Sequence, residues 1–193
     1  MKRKVFACTL IAIVISLFAF GTQAYFTYED TARNVITTGS VGIAIDEKTY
    51  DDNQVEIDFP KEGVETQPGN EVAKIVKVNN NGKSDAWVRI ELQAFAKDSA
   101  NNDLPPTLPD GTMLFTFETL SDWILHTDGY YYYKNPVKPD ELTSALFEKV
   151  KINDKLTNDY NTAKLILRVN AQAVQTANNG ETVLEASGWP ENN

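Results

Sequence analysis

An all-β sandwich is the fold this 193-residue chain predicts, and three observations predict it. Apolar residues recur with a period of two, clusters of Gly, Asn and Pro separate the runs, and helix-starting patterns are few and short. From Val35 to Ile45 the odd positions carry Val35, Thr37, Gly39, Val41, Ile43 and Ile45, and Val55, Ile57 and Phe59 alternate with Gln54, Glu56 and Asp58. Trp87 to Phe95 sets Val88, Ile90, Leu92 and Ala94 against Arg89, Glu91 and Gln93. Leu165, Leu167, Val169, Ala171 and Ala173 oppose Arg168, Asn170 and Gln172, with Ile166 and Val174 as exceptions. Weaker candidates are Val72–Val78, Met113–Phe117, Trp123–His126, Tyr130–Tyr133 and Leu146–Ile152. About nine strands with one apolar face each need a second sheet to cover them.

Turns are expected at Pro68-Gly69-Asn70, Asn79-Asn80-Asn81-Gly82, Asp110-Gly111, Asp128-Gly129 and Asn178-Asn179-Gly180. Asp128-Gly129 predicts a hairpin with a two-residue link, because Gly tolerates the positive φ of a primed turn. Short helical connections are expected at Pro139-Asp140-Glu141-Leu142 and between Glu181 and Ala186, and Lys97 to Asp110 is expected as loop.

The first 24 residues have a basic start (Lys2, Arg3, Lys4), an uncharged run from Val5 to Phe20 and small side chains at Thr22 and Ala24. That layout predicts a signal-peptide helix over residues 1–24, cleaved between Ala24 and Tyr25, and one domain over 25–193. The expected address is secreted, extracellular or cell surface, with the membrane touched only through the leader. Losing the leader's three cations takes the formal charge from −9 to −12. Such an acidic chain repels phosphate backbones, so no nucleic-acid partner is expected. Cys8, the single cysteine, lies in the leader, so the mature domain relies on its core rather than on disulfides.

The chemistry of catalysis is thin. His126 is the only histidine, no Gly-x-Ser-x-Gly motif occurs, and one histidine cannot supply a His-Glu-x-x-His zinc site. No enzyme activity, metal or cofactor is therefore expected, although loops such as Asp98–Asp103 and Asn153–Asn161 carry oxygen ligands that calcium uses elsewhere. Tyr130, Tyr131, Tyr132 and Tyr133 are consecutive. Successive tyrosines of a strand point to opposite faces, so one alternate pair packs in the core. The other pair covers the surface or, with Trp123, stacks on a ligand such as a sugar.

The leader running into Ala24-Tyr25-Phe26-Thr27, followed by Asn34-Val35-Ile36-Thr37-Thr38-Gly39-Ser40-Val41, resembles the junction of a bacterial secreted family. This is the TasA/camelysin family, with a SipW-dependent signal peptide. The similarity continues through Pro68-Gly69-Asn70-Glu71 into the strand Val72 to Val78, and through Asp128-Gly129 and the four tyrosines to Lys134. Tyr28, where an acid often follows Phe-Thr, and Ile36, in place of a frequent Phe, depart from the family pattern. The resemblance implies a jelly-roll-like antiparallel sandwich and export through a SipW-type signal peptidase. It also implies a structural role at the cell surface or in a biofilm matrix, in self-assembly with other copies or with related subunits. Camelysin's peptidase association finds no histidine-based zinc set here. In fibres, an N-terminal arm over 25–38, carrying Tyr25, Phe26, Tyr28, Val35 and Ile36, would add as a strand to a neighbouring copy. The arm forming the first strand of its own domain remains a second reading, and a carbohydrate- or surface-binding module a second function.

Overall fold

In the computed structural model, which describes residues 24–26, 41–156, 160 and 162–190, the chain is all-β, built of mostly antiparallel sheets with almost no helix. The strands are β1 (Ala24–Phe26), β2 (Ile43–Tyr50), β3 (Glu56–Asp58), β4 (Val64–Thr66), β5 (Glu71–Ala73) and β6 (Ile75–Asn80). They continue as β7 (Ala86–Lys97), β8 (Asp103–Leu104), β9 (Phe115–Thr116), β10 (Trp123–Leu125), β11 (Tyr131–Tyr133), β12 (Lys149–Ile152) and β13 (Lys164–Gln175).

The two clearest alternating runs, β7 and β13, pair antiparallel over twelve residues from Lys164↔Lys97 to Gln175↔Ala86. They centre a sheet of order β10-β11-β7-β13-β1-β4, with β8 beside β7. Two smaller sheets, β5-β12-β9 and β3-β2-β6, lie opposite. Backbone hydrogen bonds join these two: Lys74 N–H donates to Glu148 O (2.9 Å), Leu146 N–H to Val76 O (2.8 Å) and Thr143 N–H to Val78 O (2.9 Å). Residues 140–152 thus run beside the continuous strand 71–80, and the small sheets act as one layer. Val88, Ile90, Leu167 and Val169 from one layer meet Ile43, Val76, Val78 and Val150 from the other in a single core cluster. Removing such side chains from water is the main favourable term in folding.

Four hairpins close with the same bond pattern. Asp51 N–H donates to Val55 O and Gln54 N–H to Asp51 O, and the pairs at Asp98/Asn102, Leu108/Thr112 and His126/Tyr130 repeat it. The fourth residue of each turn is left-handed: Gln54 (φ 63°), Asn101 (φ 66°), Gly111 (φ 81°) and Gly129 (φ 87°). Asp128-Gly129 is therefore not the two-residue primed link expected from the sequence. It is a type I turn followed by one left-handed residue, the three-residue hairpin in which only the glycine needs positive φ.

An aspartate braces each loop. Asp51 Oδ1 accepts from Asn53 and Val55 N–H, Asp98 Oδ1 from Ala100 and Asn102, Asp110 Oδ1 from Thr112, and Asp128 Oδ1 from Tyr130. These bonds hold the carboxyls of Asp51, Asp98 and Asp110 below the usual range: chiefly Val55 N–H for Asp51, the Asn102 side chain for Asp98 and the Thr112 side chain for Asp110. A depressed folded-state pKa gives stability that is present above the unfolded value, about 3.9, and is lost as pH falls through the folded value. The melting temperature should accordingly change little between pH 5 and 7 and fall progressively below about pH 4. Asp98→Asn should flatten that fall; an unchanged acid slope would show that the bracing does not couple to folding.

Several expectations need correction. The helix start at Pro139 is a turn, with Glu141 N–H donating to Lys138 O and Asp140 at φ 63°, and Leu142 then bridges to Asn79. Glu181 to Ala186 also forms a turn, so the short helical connections are turns. β3 is an exposed edge rather than a half-buried strand, since Val55 and Ile57 remain 55% and 43% accessible while only Phe59 enters the core. The Lys97–Asp110 loop contains β8. Thr22 and the rest of the leader before Ala24, and Tyr28, Val35 and Ile36 of the arm, lie outside the described residues. Among the described residues no helix is long and apolar enough to cross a membrane.

Candidate functional site

Ala24–Phe26 occupies a slot in the large sheet. Tyr25 and Phe26 pair parallel to Lys164 and Leu165 of β13, and all three residues pair antiparallel to Val64–Thr66 of β4. Parallel neighbours cannot be joined by a tight hairpin. This strand comes from one end of the chain to meet β13 near the other, and the expected cleavage point after Ala24 falls inside it.

The tyrosine run divides by parity. Tyr131 and Tyr133 turn toward the main core, where Tyr131 lies 5.9 Å from Phe117 and Tyr133 lies 5.1 Å from Trp123, centroid to centroid. Trp123 is only 4% accessible and donates from Nε1 to Ser144 O (3.2 Å), so its ring is not offered to a ligand. Tyr130 and Tyr132 face outward and join Trp87, Val174, Val183 and Trp189 in a second, smaller cluster.

Register builds this outer cluster. Arg89 of β7 pairs with Tyr132 on one side and Gln172 on the other, a row of three side chains across three strands. Its Nε donates to Gln172 Oε1 (2.8 Å) and its Nη1 to Tyr132 Oη (2.9 Å). The guanidinium lies 3.9 Å from the Tyr130 ring centre and 4.6 Å from that of Trp189, a cation held between two π faces. Tyr132 Oη in turn donates to Asp128 Oδ2 (2.6 Å), and His126 Nδ1 lies 3.3 Å from Asp128 Oδ1. Burial acts to raise the Asp128 carboxyl, but bonds from Tyr132, Tyr130 N–H and His126 outweigh it and hold it low; burial raises the Tyr132 phenol. Trp189 arrives on the segment after β13, which Asn179 ties down: its side chain bonds Gln175 O, Ser187 O and Ser187 N–H, and its carbonyl accepts from Trp87 Nε1 (3.0 Å).

A half-open cleft of about 520 Å³ lies on the outer side of β5, β12 and β9, lined by Glu71, Glu118, Glu148, Lys149, Lys151 and Phe117. Glu71 and Lys149 pair at 3.4 Å across it. Among the described residues no group of three His, Cys, Asp or Glu could hold a metal ion. In the Asp98–Asp103 loop, the Asp98 carboxylate serves its own turn. Sequence reasoning found the tyrosines but not Arg89 or Trp189. Their signal was parity: a cation and a distant indole that share the outward face with Tyr130 and Tyr132. No family model, curated protein or solved structure matches the chain.

Proposed function

We propose that this protein is an exported structural subunit of a bacterial cell surface or biofilm matrix, with a jelly-roll-like sandwich, that links copies by N-terminal strand addition. The observation that carries this reading is the seating of Ala24–Phe26 between β4 and β13. The slot is made by strands remote from it in sequence, so an identical arm from another copy meets the same partners. Main-chain hydrogen bonds supply affinity in such strand addition. Donating an arm from one copy to the next is a head-to-tail contact, which propagates instead of closing. Removal of the leader by a SipW-type signal peptidase would free Tyr25 as the arm's first residue.

The non-catalytic part of the reading is supported by the state of the one histidine. His126 sits at the mouth of a hairpin turn against Asp128 and Tyr132, in contacts that brace the turn. Among the described residues a camelysin-like peptidase role finds no group of three His, Cys, Asp or Glu to hold a zinc ion. The test compares the chain beginning at Tyr25 with one beginning at Gly39, by size-exclusion chromatography and electron microscopy at high concentration. The longer chain should form filaments and the shorter remain monomeric, and a peptide of residues 25–38 should bind the shorter chain. Monomers from both chains would overturn strand donation.

A further inference from the structure

The outer face of β7 and β13 goes against the charge of the rest of the molecule. The chain carries 27 acidic and 18 basic side chains. Yet the outward positions of these two strands hold Arg89, Lys97, Lys164 and Arg168 against a single acid, Glu91. Both arginines among the described residues are on this face, each laid on aromatic rings: Arg89 on Tyr130 and Trp189, and Arg168 on Phe95 at 4.5 Å. Arg89 and Gln172 are cross-strand partners, as are Gln93 and Arg168, so four residues of strand separate the arginines, about 14 Å at strand rise. Glu91 and Asn170 form the row between them, Asn170 Nδ2 donating to Glu91 Oε2 (3.3 Å), and Gln93 lies beside Arg168. Arg168 Nε is buried and has no acceptor among the described residues, an orphaned donor in a half-buried side chain.

We propose that this face binds a carboxylate-bearing polysaccharide, with Arg168 gripping one uronate carboxyl. A guanidinium flattened on an aromatic ring presents its donors edge-on, in the fork that matches a carboxylate. The amides of Gln93 and Asn170 can both donate to and accept from sugar hydroxyls. An acidic peptide fits less well. β7 is paired along its length with β13, β11 and β8 take the two ends of its other edge, and the middle of the face offers polar side chains rather than the apolar pockets that read a peptide. Nucleic acid needs many cations to displace its counterions, and the chain as a whole repels it. The grip at Arg168 uses side chains on the outer face, whereas the arm slot between β4 and β13 uses main-chain bonds at Lys164 and Leu165, so binding and assembly can fail independently.

The test measures binding of the purified chain to polygalacturonate, neutral dextran and single-stranded DNA by calorimetry at low and physiological salt. Arg168→Gln, Arg168→Lys and the arm-deleted chain beginning at Gly39 serve as variants, with unfolding curves to confirm that each is folded. Expected is salt-weakened binding to polygalacturonate only, kept by the arm-deleted chain. Arg168→Gln should lower it at least tenfold and Arg168→Lys several-fold, because a lysine keeps the charge but not the fork. No binding to polygalacturonate at low salt, equal binding to dextran or DNA, or full affinity in Arg168→Gln would each overturn the proposal.

Discussion

Lys74→Met should cost about 3 to 5 kcal/mol of folding stability and Glu47→Gln a comparable amount, while Lys74→Met combined with Glu47→Leu should recover most of the loss. Lys74 is fully buried between Val72 and Val76, on the core side of its strand. Glu47 is the cross-strand partner of Val76, one step along from Lys74, and its Oε1 lies 3.0 Å from Lys74 Nζ as a charge contact without aligned hydrogen-bond geometry. Phe59, whose N–H donates to Glu47 O, places its ring 4.1 Å from the same ammonium. Moving either charge out of water is expensive, and their attraction offsets that cost only while both are present. Removing one therefore hurts far more than replacing both with apolar groups of similar volume. Urea unfolding of the two single variants and the double variant measures this as a coupling energy. Additive costs, or single variants close to wild type, would show that the pair does not act as a unit.

That pair also shows where reading the sequence stopped. The alternation of Val72, Val76 and Val78 identified the strand, and Lys74 stood at the inward parity among them, but a lysine in an apolar row is normally read as an irregularity of the edge. Two further irregularities, Ile166 and Val174, were physically meaningful in the same way. Both face outward and are buried, Val174 beneath the segment that carries Val183 and Trp189, and Ile166 opposite Phe95. At Val174 an apolar residue at the wrong parity marked a second cover on the sheet. β7 and β13 were legible because twelve residues give six repeats of the period. β4 and β8, with three and two residues, give none, and they are strands only because a neighbour's ladder reaches them. Trp123 was misplaced because parity alone does not say which face is inside. That was decided by Ser144 and Tyr133, neither of which neighbours it in sequence. The arm slot was outside reach for a different reason: parallel pairing between chain ends leaves no local pattern.

Asn80→Asp should be the most damaging one-atom change in the molecule, costing about 3 kcal/mol or more at pH 7, because it buries an uncompensated charge. Asn80 is fully buried at the end of β6, in a run that the sequence marks only as a turn. Its Nδ2 donates to Ser84 O (2.8 Å) and Val137 O (2.7 Å), and its Oδ1 accepts from Gly82 N–H (3.0 Å), so one amide closes the Asn81-Gly82 turn and fastens it to the strand-like residue Val137. An amide meets these demands because it has two donors and an acceptor on one planar group. A carboxylate keeps the acceptor but turns two donated bonds into repulsion against carbonyl oxygens. Protonation would restore one donor, so the introduced acid has a raised folded-state pKa. The charge-dependent part of its penalty is absent below the folded-state and unfolded values alike, and grows as pH rises from about 3.9 to the folded-state value, opposite in sign to the aspartates that brace the hairpins. Asn80→Ala provides the comparison. It loses the same bonds and leaves a small cavity, at about 2 to 3 kcal/mol, with no pH dependence of its own. Relative to Asn80→Ala, the stability of Asn80→Asp should therefore improve steadily from pH 7 to pH 4, a difference that cancels the acid sensitivity of the rest of the chain. Parallel curves for the two variants would mean that water reaches the carboxylate and that Asn80 is held by packing more than by its hydrogen bonds.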